Sequence, residues 1–263
     1  MIRVDVYLAQ NGYVKSRSQA KELIEGRKVS LDGRILQKSS EMVDENTDHA
    51  IDVIKEKYVC RGALKLEGAL DKFFVEPKDK VCIDIGASTG GFTDLLLKRG
   101  AKKVYAVDSG HGQLDGSLLS SEKVVNIEGY NARNLSKKDF PEEIEMAVMD
   151  VSFISQTYIH QGIFDVLSND GILISLIKPQ FEAGRAAIGK GGIVKKKEDR
   201  ESSIIRVIES AEGCGLFCFD VMRSPIDGGD GNIEYLALFR KNASEKKIDR
   251  AMIHALVKNE GKG

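Results

Sequence analysis

The chain has 263 residues, of which 42% are hydrophobic and 30% charged, with a formal net charge of −1. That supplies a real core in one large or two smaller domains, and the total charge does not advertise a nucleic-acid partner. No apolar run approaches the ~18 residues needed to span a bilayer, and Met1-Ile2-Arg3-Val4-Asp5 lacks the apolar region of a signal peptide, so the cytoplasm is the expected compartment. The cysteines, Cys60, Cys82, Cys214 and Cys218, form no C-x-x-C pair and read as small hydrophobes rather than a disulfide set or zinc site.

Residues 1–57 read as a small separate module. Val4, Tyr7 and Leu8 have helical spacing. A second helix is expected from Ser18 as N-cap through Ala20, Leu23 and Ile24, closed by Gly26 as a C′ glycine. Lys28 to Leu31 and Arg34 to Leu36 flank Asp32-Gly33, a hairpin signal. Lys15, Arg17, Lys21, Arg27, Lys28 and Arg34 crowd this stretch, and a local cationic face suits phosphate contact although a solvated helix face would look the same. The whole pattern from Val4 to Leu36 resembles the ribosomal protein S-four-type (αL) RNA-binding domain. That resemblance implies that these six side chains meet structured RNA, with the acidic stretch Glu41 to Asp52 facing away from it.

A short charged connector, Lys55 to Cys60, leads into strand–helix alternation. Leu66, Ala69, Leu70 and Phe73 form a helical stripe, with Lys65 beside it. Val81 to Ile85 reads as a strand, Gly86 to Gly91 as a glycine-rich turn, and Leu95 to Leu97 as the start of a helix. This order presents backbone N–H groups to a polar ligand. Further strands are expected at Lys103–Val107, Val124–Glu128, Met146–Asp150, Gly171–Ile177, Leu216–Val221 and Tyr235–Phe239, with helices over Ser155–Leu167 and Glu198–Glu212. The expected fold is a doubly wound, mostly parallel Rossmann-like sheet over 58–243 beside the small α+β module, with functional groups at the C-terminal strand ends. Residues 244–263 read as an amphipathic helical tail through Ile248, Met252, Ile253 and Leu256, to which no chemistry is assigned.

Four polar residues fall at one expected rim. Asp150 and Lys178 end strands, Glu234 precedes the last strand, and Lys65 lies near the first helix start. A structural ion pair is the plain reading of Asp150 and Lys178. The glycine turn lacks the second glycine of G-x-G-x-x-G, which argues against a hydride-transferring dehydrogenase. Asp84, Thr89-Gly90-Gly91-Phe92-Thr93 and Asp108 together resemble the S-adenosylmethionine (SAM) site of Rossmann-like methyltransferases, specifically the FtsJ-like RNA methyltransferases. Lys65, Asp150, Lys178 and Glu234 resemble the Lys-Asp-Lys-Glu tetrad of ribose 2′-O-methyltransferases.

More narrowly, RGALKLEGAL, DIGASTGGFTD, MDVSFIS, IKPQFEAGR, GKGG and GNIEY resemble the TlyA (haemolysin A) family of rRNA methyltransferases, across about Arg3 to Arg240. Arg61-Gly62-Ala63 departs mildly from the two consecutive glycines common in that family. The resemblance implies SAM-dependent 2′-O-methylation of cytidine in ribosomal RNA of the large subunit, with the small subunit also open, on subunits or their precursors. It implies no metal and no membrane partner. It assigns SAM contact to Asp84, Gly86, Ala87, Ser88, Thr89, Gly90, Phe92, Asp108, Asn131 and Ala132. Lys178 is the expected general base, with Lys65 as neighbouring cation and Asp150 and Glu234 orienting the lysines. The alternative is a non-catalytic RNA-binding or ribosome-assembly factor. A pore-forming haemolysin is disfavoured by the lack of a membrane span, barrel pattern or export signal.

Overall fold

The computed structural model describes residues 1–14, 16–54, 57–241 and 248–260. Lys15, expected to meet RNA, lies outside the described residues, as do residues 55–56 of the connector and the first residues of the expected tail. The chain divides into two compact units, Met1–Lys57 and Tyr58–Gly263.

In the first unit, helices Val4–Gln10 and Arg17–Glu25 pack with a three-stranded antiparallel sheet in the order Arg34–Ile35, Val29–Leu31, Ile51–Val53. Val4, Leu8, Ala20, Ile24, Val29 and Leu36 form its core. Asp32 and Gly33 take φ of 52° and 79°, the left-handed pair that a two-residue hairpin turn requires. Two local expectations are corrected. The N-cap lies two residues before Ser18, at Ser16, whose Oγ accepts the Gln19 N–H at 3.2 Å. Its left-handed residue is Arg27 (φ 56°), while Gly26 stays at φ −75°.

The second unit is a seven-stranded sheet with helices on both faces. Its strands are β1 (Val81–Ile85), β2 (Lys103–Val107), β3 (Val124–Ile127), β4 (Ile144–Met149), β5 (Leu167–Ile177), β6 (Phe217–Arg223) and β7 (Tyr235–Arg240). Their spatial order is β6-β7-β5-β4-β1-β2-β3. Pairings from β3 through β5 are parallel, and β7 runs antiparallel to both β5 and β6. The apolar run before Lys178 is therefore a central strand with a parallel neighbour on one side and an antiparallel one on the other. The described helices are α1 (Ala63–Phe73), α2 (Gly91–Lys98), α3 (Gly116–Leu119), α4 (His160–Val166), α5 (Pro179–Glu182), α6 (Lys197–Gly213) and α7 (Arg250–Lys258). Alternating strand residues feed two cores. Cys82, Val104, Val148 and Leu236 meet α1 and α2 on one face, and Ile83, Ala147, Leu173 and Tyr235 meet α4, α6 and α7 on the other.

Two helices differ from the expectation. The Ser155–Leu167 stretch is broken into a 3-10 turn at Gln156–Tyr158 and α4, and α2 starts at Gly91, four residues before Leu95. Strand order reverses between β1 and β4, and their C-terminal ends form the crevice where such sheets bind ligands. Among the described residues no helix is long and apolar enough to cross a membrane, and no cluster of three or more His, Cys, Asp or Glu could hold a metal ion. All four cysteines are free thiols.

Candidate active site

The crevice is built on one close approach. Gly86 follows β1 with φ 85°, and a Cβ there would lie 2.5 Å from the Asp150 carbonyl oxygen at the end of β4. Only glycine lets these two strand ends meet. Gly86 N–H and Ala87 N–H both donate to Val107 O, which fixes the turn above β2. Ser88 takes a left-handed φ of 48°, its N–H donates to Asp108 Oδ2 at 2.8 Å, and its hydroxyl meets Gln113 Oε1 at 3.1 Å. Asp108 Oδ1 accepts from Gly110 N at 2.7 Å, so this carboxylate ties two loops together at the cavity wall.

Two adjoining cavities share Gly86, Ser88, Asp150 and Ser152. The larger, about 810 Å³, runs past Asp108, Tyr130, Asn131, Ala132 and Phe153. The smaller, about 250 Å³, is lined by Asp84, Ala87, Thr89, Phe92 and Lys178 together with Cys60 and Gly62. Together they suit a ligand of nucleoside size. Asp84 is fully buried. Thr93 Oγ1 donates to its Oδ2 at 2.7 Å, while Oδ1 has no partner. Burial pushes its carboxyl up to about 7, with the Thr93 hydrogen bond opposing.

Of the ten expected cofactor residues, nine line these cavities. Gly90 does not. Its N–H donates to Ala87 O, and a Cβ on it would strike Leu118 and Leu114, so close packing against α3 explains the glycine. Asn131 caps a 3-10 turn by accepting the Arg133 N–H.

The four tetrad side chains form two ion pairs. Lys178 Nζ lies 2.5 Å from Asp150 Oδ1 and 2.8 Å from Ser152 Oγ. Lys65 Nζ lies 2.6 Å from Glu234 Oε2, and Glu234 Oε1 accepts from Gln180 Nε2 at 3.3 Å. Topology explains the meeting: Ile177 pairs with Tyr235, so antiparallel β7 starts where parallel β5 ends. Both lysines and Glu234 are buried. Sequence reasoning missed Ser152, Gln113, Gln180 and Phe153. Phe153 stands almost fully exposed with φ 64°, a strained backbone for a bulky residue. The MDVSFIS wording contains two of these four, yet only its aspartate stands out by position at a strand end.

Another buried carboxylate braces this wall. Glu182, on α5 one turn beyond Lys178, accepts from Ser155 Oγ at 2.5 Å and from Gln156 N at 2.9 Å. It holds the loop that carries Ser152 against α5.

In the first unit the expected RNA residues are less uniformly available. Arg17 and Arg3 both reach the buried Asp5, whose carboxyl Arg3 in particular holds below its usual range. Arg34 pairs with Glu41 at 2.7 Å, so the acidic stretch enters the basic face instead of lying wholly apart from it. Lys21 makes a long exposed pair with Glu25 at 3.8 Å. Arg27 is exposed, and Lys28 half-buried.

Known proteins resemble this chain over most of its length. The FtsJ-like methyltransferase family model matches residues 58–241, and the S4 domain model residues 2–49. "Hemolysin A" of Brachyspira hyodysenteriae is 45% identical over 240 residues, 90% of this chain and 99% of that protein. The "16S/23S rRNA (cytidine-2'-O)-methyltransferase TlyA" of Mycobacterium tuberculosis is 39% identical over 251 residues, 95% of this chain and 92% of that one. The solved structure of a "putative hemolysin" from Streptococcus thermophilus superposes with a TM-score of 0.78 at 40% identity, covering 99% of this chain and 95% of its own. The chain belongs to the TlyA (haemolysin A) family of FtsJ-like methyltransferases, with an S4 domain at its N-terminal end.

Proposed function

We propose that this protein transfers a methyl group from SAM to the ribose 2′-oxygen of a cytidine in ribosomal RNA. The observation that carries the reading is the pair of buried lysine–carboxylate contacts, Lys178–Asp150 beside the glycine turn and Lys65–Glu234 between α1 and the start of β7. When bound, SAM supplies an electrophilic methyl on a sulfonium with a good leaving group, so the chain has only to bind, orient and take a proton.

The residues present fit that cofactor. Asp84 offers an unpartnered, buried oxygen to the amino end of its methionine part, and the backbone of Gly86, Ala87 and Ser88 lines the same small cavity. Asp108, Asn131 and Ala132 line the larger cavity where the adenosine would lie. As the neutral amine, Lys178 Nζ would take the proton of the 2′-hydroxyl, and the ammonium so formed would be held by the Asp150 carboxylate and donate to Ser152 Oγ, as in the pair seen here. Lys65 and Glu234 would hold the sugar edge and balance the charge. Such a base is worth roughly 10²–10⁴-fold, and alignment of oxygen with methyl supplies much of the remainder.

The exposed cations Lys21, Arg27 and, with part of their charge engaged, Arg17 and Arg34 would contact RNA phosphates, as would Lys28. The relative's printed activity on both 16S and 23S rRNA supports ribosomal subunits as substrate and the cytoplasm as the place of action. Large-subunit RNA is the proposed primary target.

Incubation with tritiated SAM and each purified ribosomal subunit tests this. The parent protein is expected to label rRNA, and Lys178→Ala to lose roughly 10²–10⁴-fold in turnover while binding SAM in calorimetry like the parent. Equal labelling by Lys178→Ala would remove the lysine from its role. Failure of the parent on both subunits would remove the reaction itself.

A further inference from the structure

Glu260, two residues beyond the end of α7, joins a buried network around Tyr235, the residue next to Glu234 of the tetrad. Tyr235 follows Glu234 directly, and successive strand side chains point to opposite faces. Glu234 meets Lys65 on the α1 face, whereas Tyr235 belongs to the core covered by α6 and α7. There the Tyr235 hydroxyl accepts from Arg200 Nε at 3.2 Å and donates to Glu260 Oε1. Arg200 Nη2 lies 2.5 Å from Glu260 Oε2. Arg200 Nη1 also donates to Val194 O at 3.1 Å and Lys195 O at 2.7 Å. Arg200 and Glu260 are almost wholly desolvated, with side-chain exposures of 6% and 3%.

Burying such a pair is a poor way to gain stability, since desolvation offsets most of the attraction. A fully satisfied polar network does fix one geometry. We propose that Glu260 is a positioning residue: with Arg200 it clamps Tyr235 and thereby sets the backbone from which Glu234 reaches Lys65. This rests on the methyl transfer proposed above. Ile253 and Val257, buried against the same core, hold α7 in place so that Glu260 arrives at the clamp.

Tyr235→Phe removes the hydroxyl without opening a cavity and leaves the Arg200–Glu260 pair intact. Its kcat for rRNA methylation is expected to fall roughly tenfold, as for a small misplacement of a reacting group, with KM for rRNA unchanged. Glu260→Gln is expected to act in the same direction. If both work through Glu234, the double variant Tyr235→Phe/Glu234→Gln is no slower than Glu234→Gln alone. An active parent with unchanged turnover in Tyr235→Phe overturns the clamp alone, as do losses that multiply in the double variant. A parent that transfers no methyl group overturns the clamp and the proposed reaction together. If thermal unfolding shows that Glu260→Gln does not fold, Tyr235→Phe decides.

Discussion

Asp84 is fully buried with one oxygen unpartnered, and burial lifts its carboxyl to about 7. Its folded-state value lies above the ordinary 3.8, so it contributes stability that is full at low pH and lost as pH rises through about 7. An ammonium beside Oδ1 would favour the ionised form. SAM affinity, measured by calorimetry, is therefore expected to rise as pH passes through neutrality, and Asp84→Asn to bind more weakly with a flat profile. A flat profile in the parent would place the amino end elsewhere. Gly86→Ala is expected to cost about 1–3 kcal/mol in thermal unfolding, from its left-handed φ and the nearby Asp150 carbonyl. Lys178 was legible in the sequence because a charge directly after a run that is apolar but for Ser175 stands out. Ser152 was not, because a serine in a loop signals nothing until the amine of Lys178 is seen beside it.

At the scale of elements, strands were readable wherever an apolar run ended abruptly at a polar residue. Helix ends were less so, because Ser16 and Ser18 are both good caps by type and only hydrogen bonding distinguishes them. Arg27 took the left-handed position because the chain must turn one residue later than the glycine suggested. Helix α1, which carries Lys65, docks through Gly68, where a Cβ would come 2.9 Å from Pro225 Cγ. Gly68→Leu is expected to push α1 away, costing about 1–3 kcal/mol. It should lower methyl transfer through Lys65 while SAM binding persists. Turnover and stability equal to the parent's would show that α1 can shift without consequence. The clamp at Glu260 was invisible in sequence, since its partners lie 60 and 25 positions away.

Across the whole molecule a net charge of −1 conceals local segregation. In the first unit Arg17, Lys21, Arg27, Lys28 and Arg34 outnumber Glu22, Glu25 and Asp32 between the second helix and the hairpin, and the pairing of Arg17 with Asp5 and Arg34 with Glu41 marks which of them are partly spent. Lys21→Gln/Arg27→Gln is expected to weaken binding of ribosomal subunits and to reduce the salt slope of log affinity by roughly two, about one per phosphate contact. Arg34→Gln should do less. An unchanged slope in the double variant would move the RNA contacts off this face. The central claim is tested most directly by mapping 2′-O-methyl groups in rRNA from cells that carry the gene, lack it, or express only Lys178→Ala. A methylated cytidine ribose present in the first and missing from the other two is the predicted result. A methylation map identical in all three would contradict it.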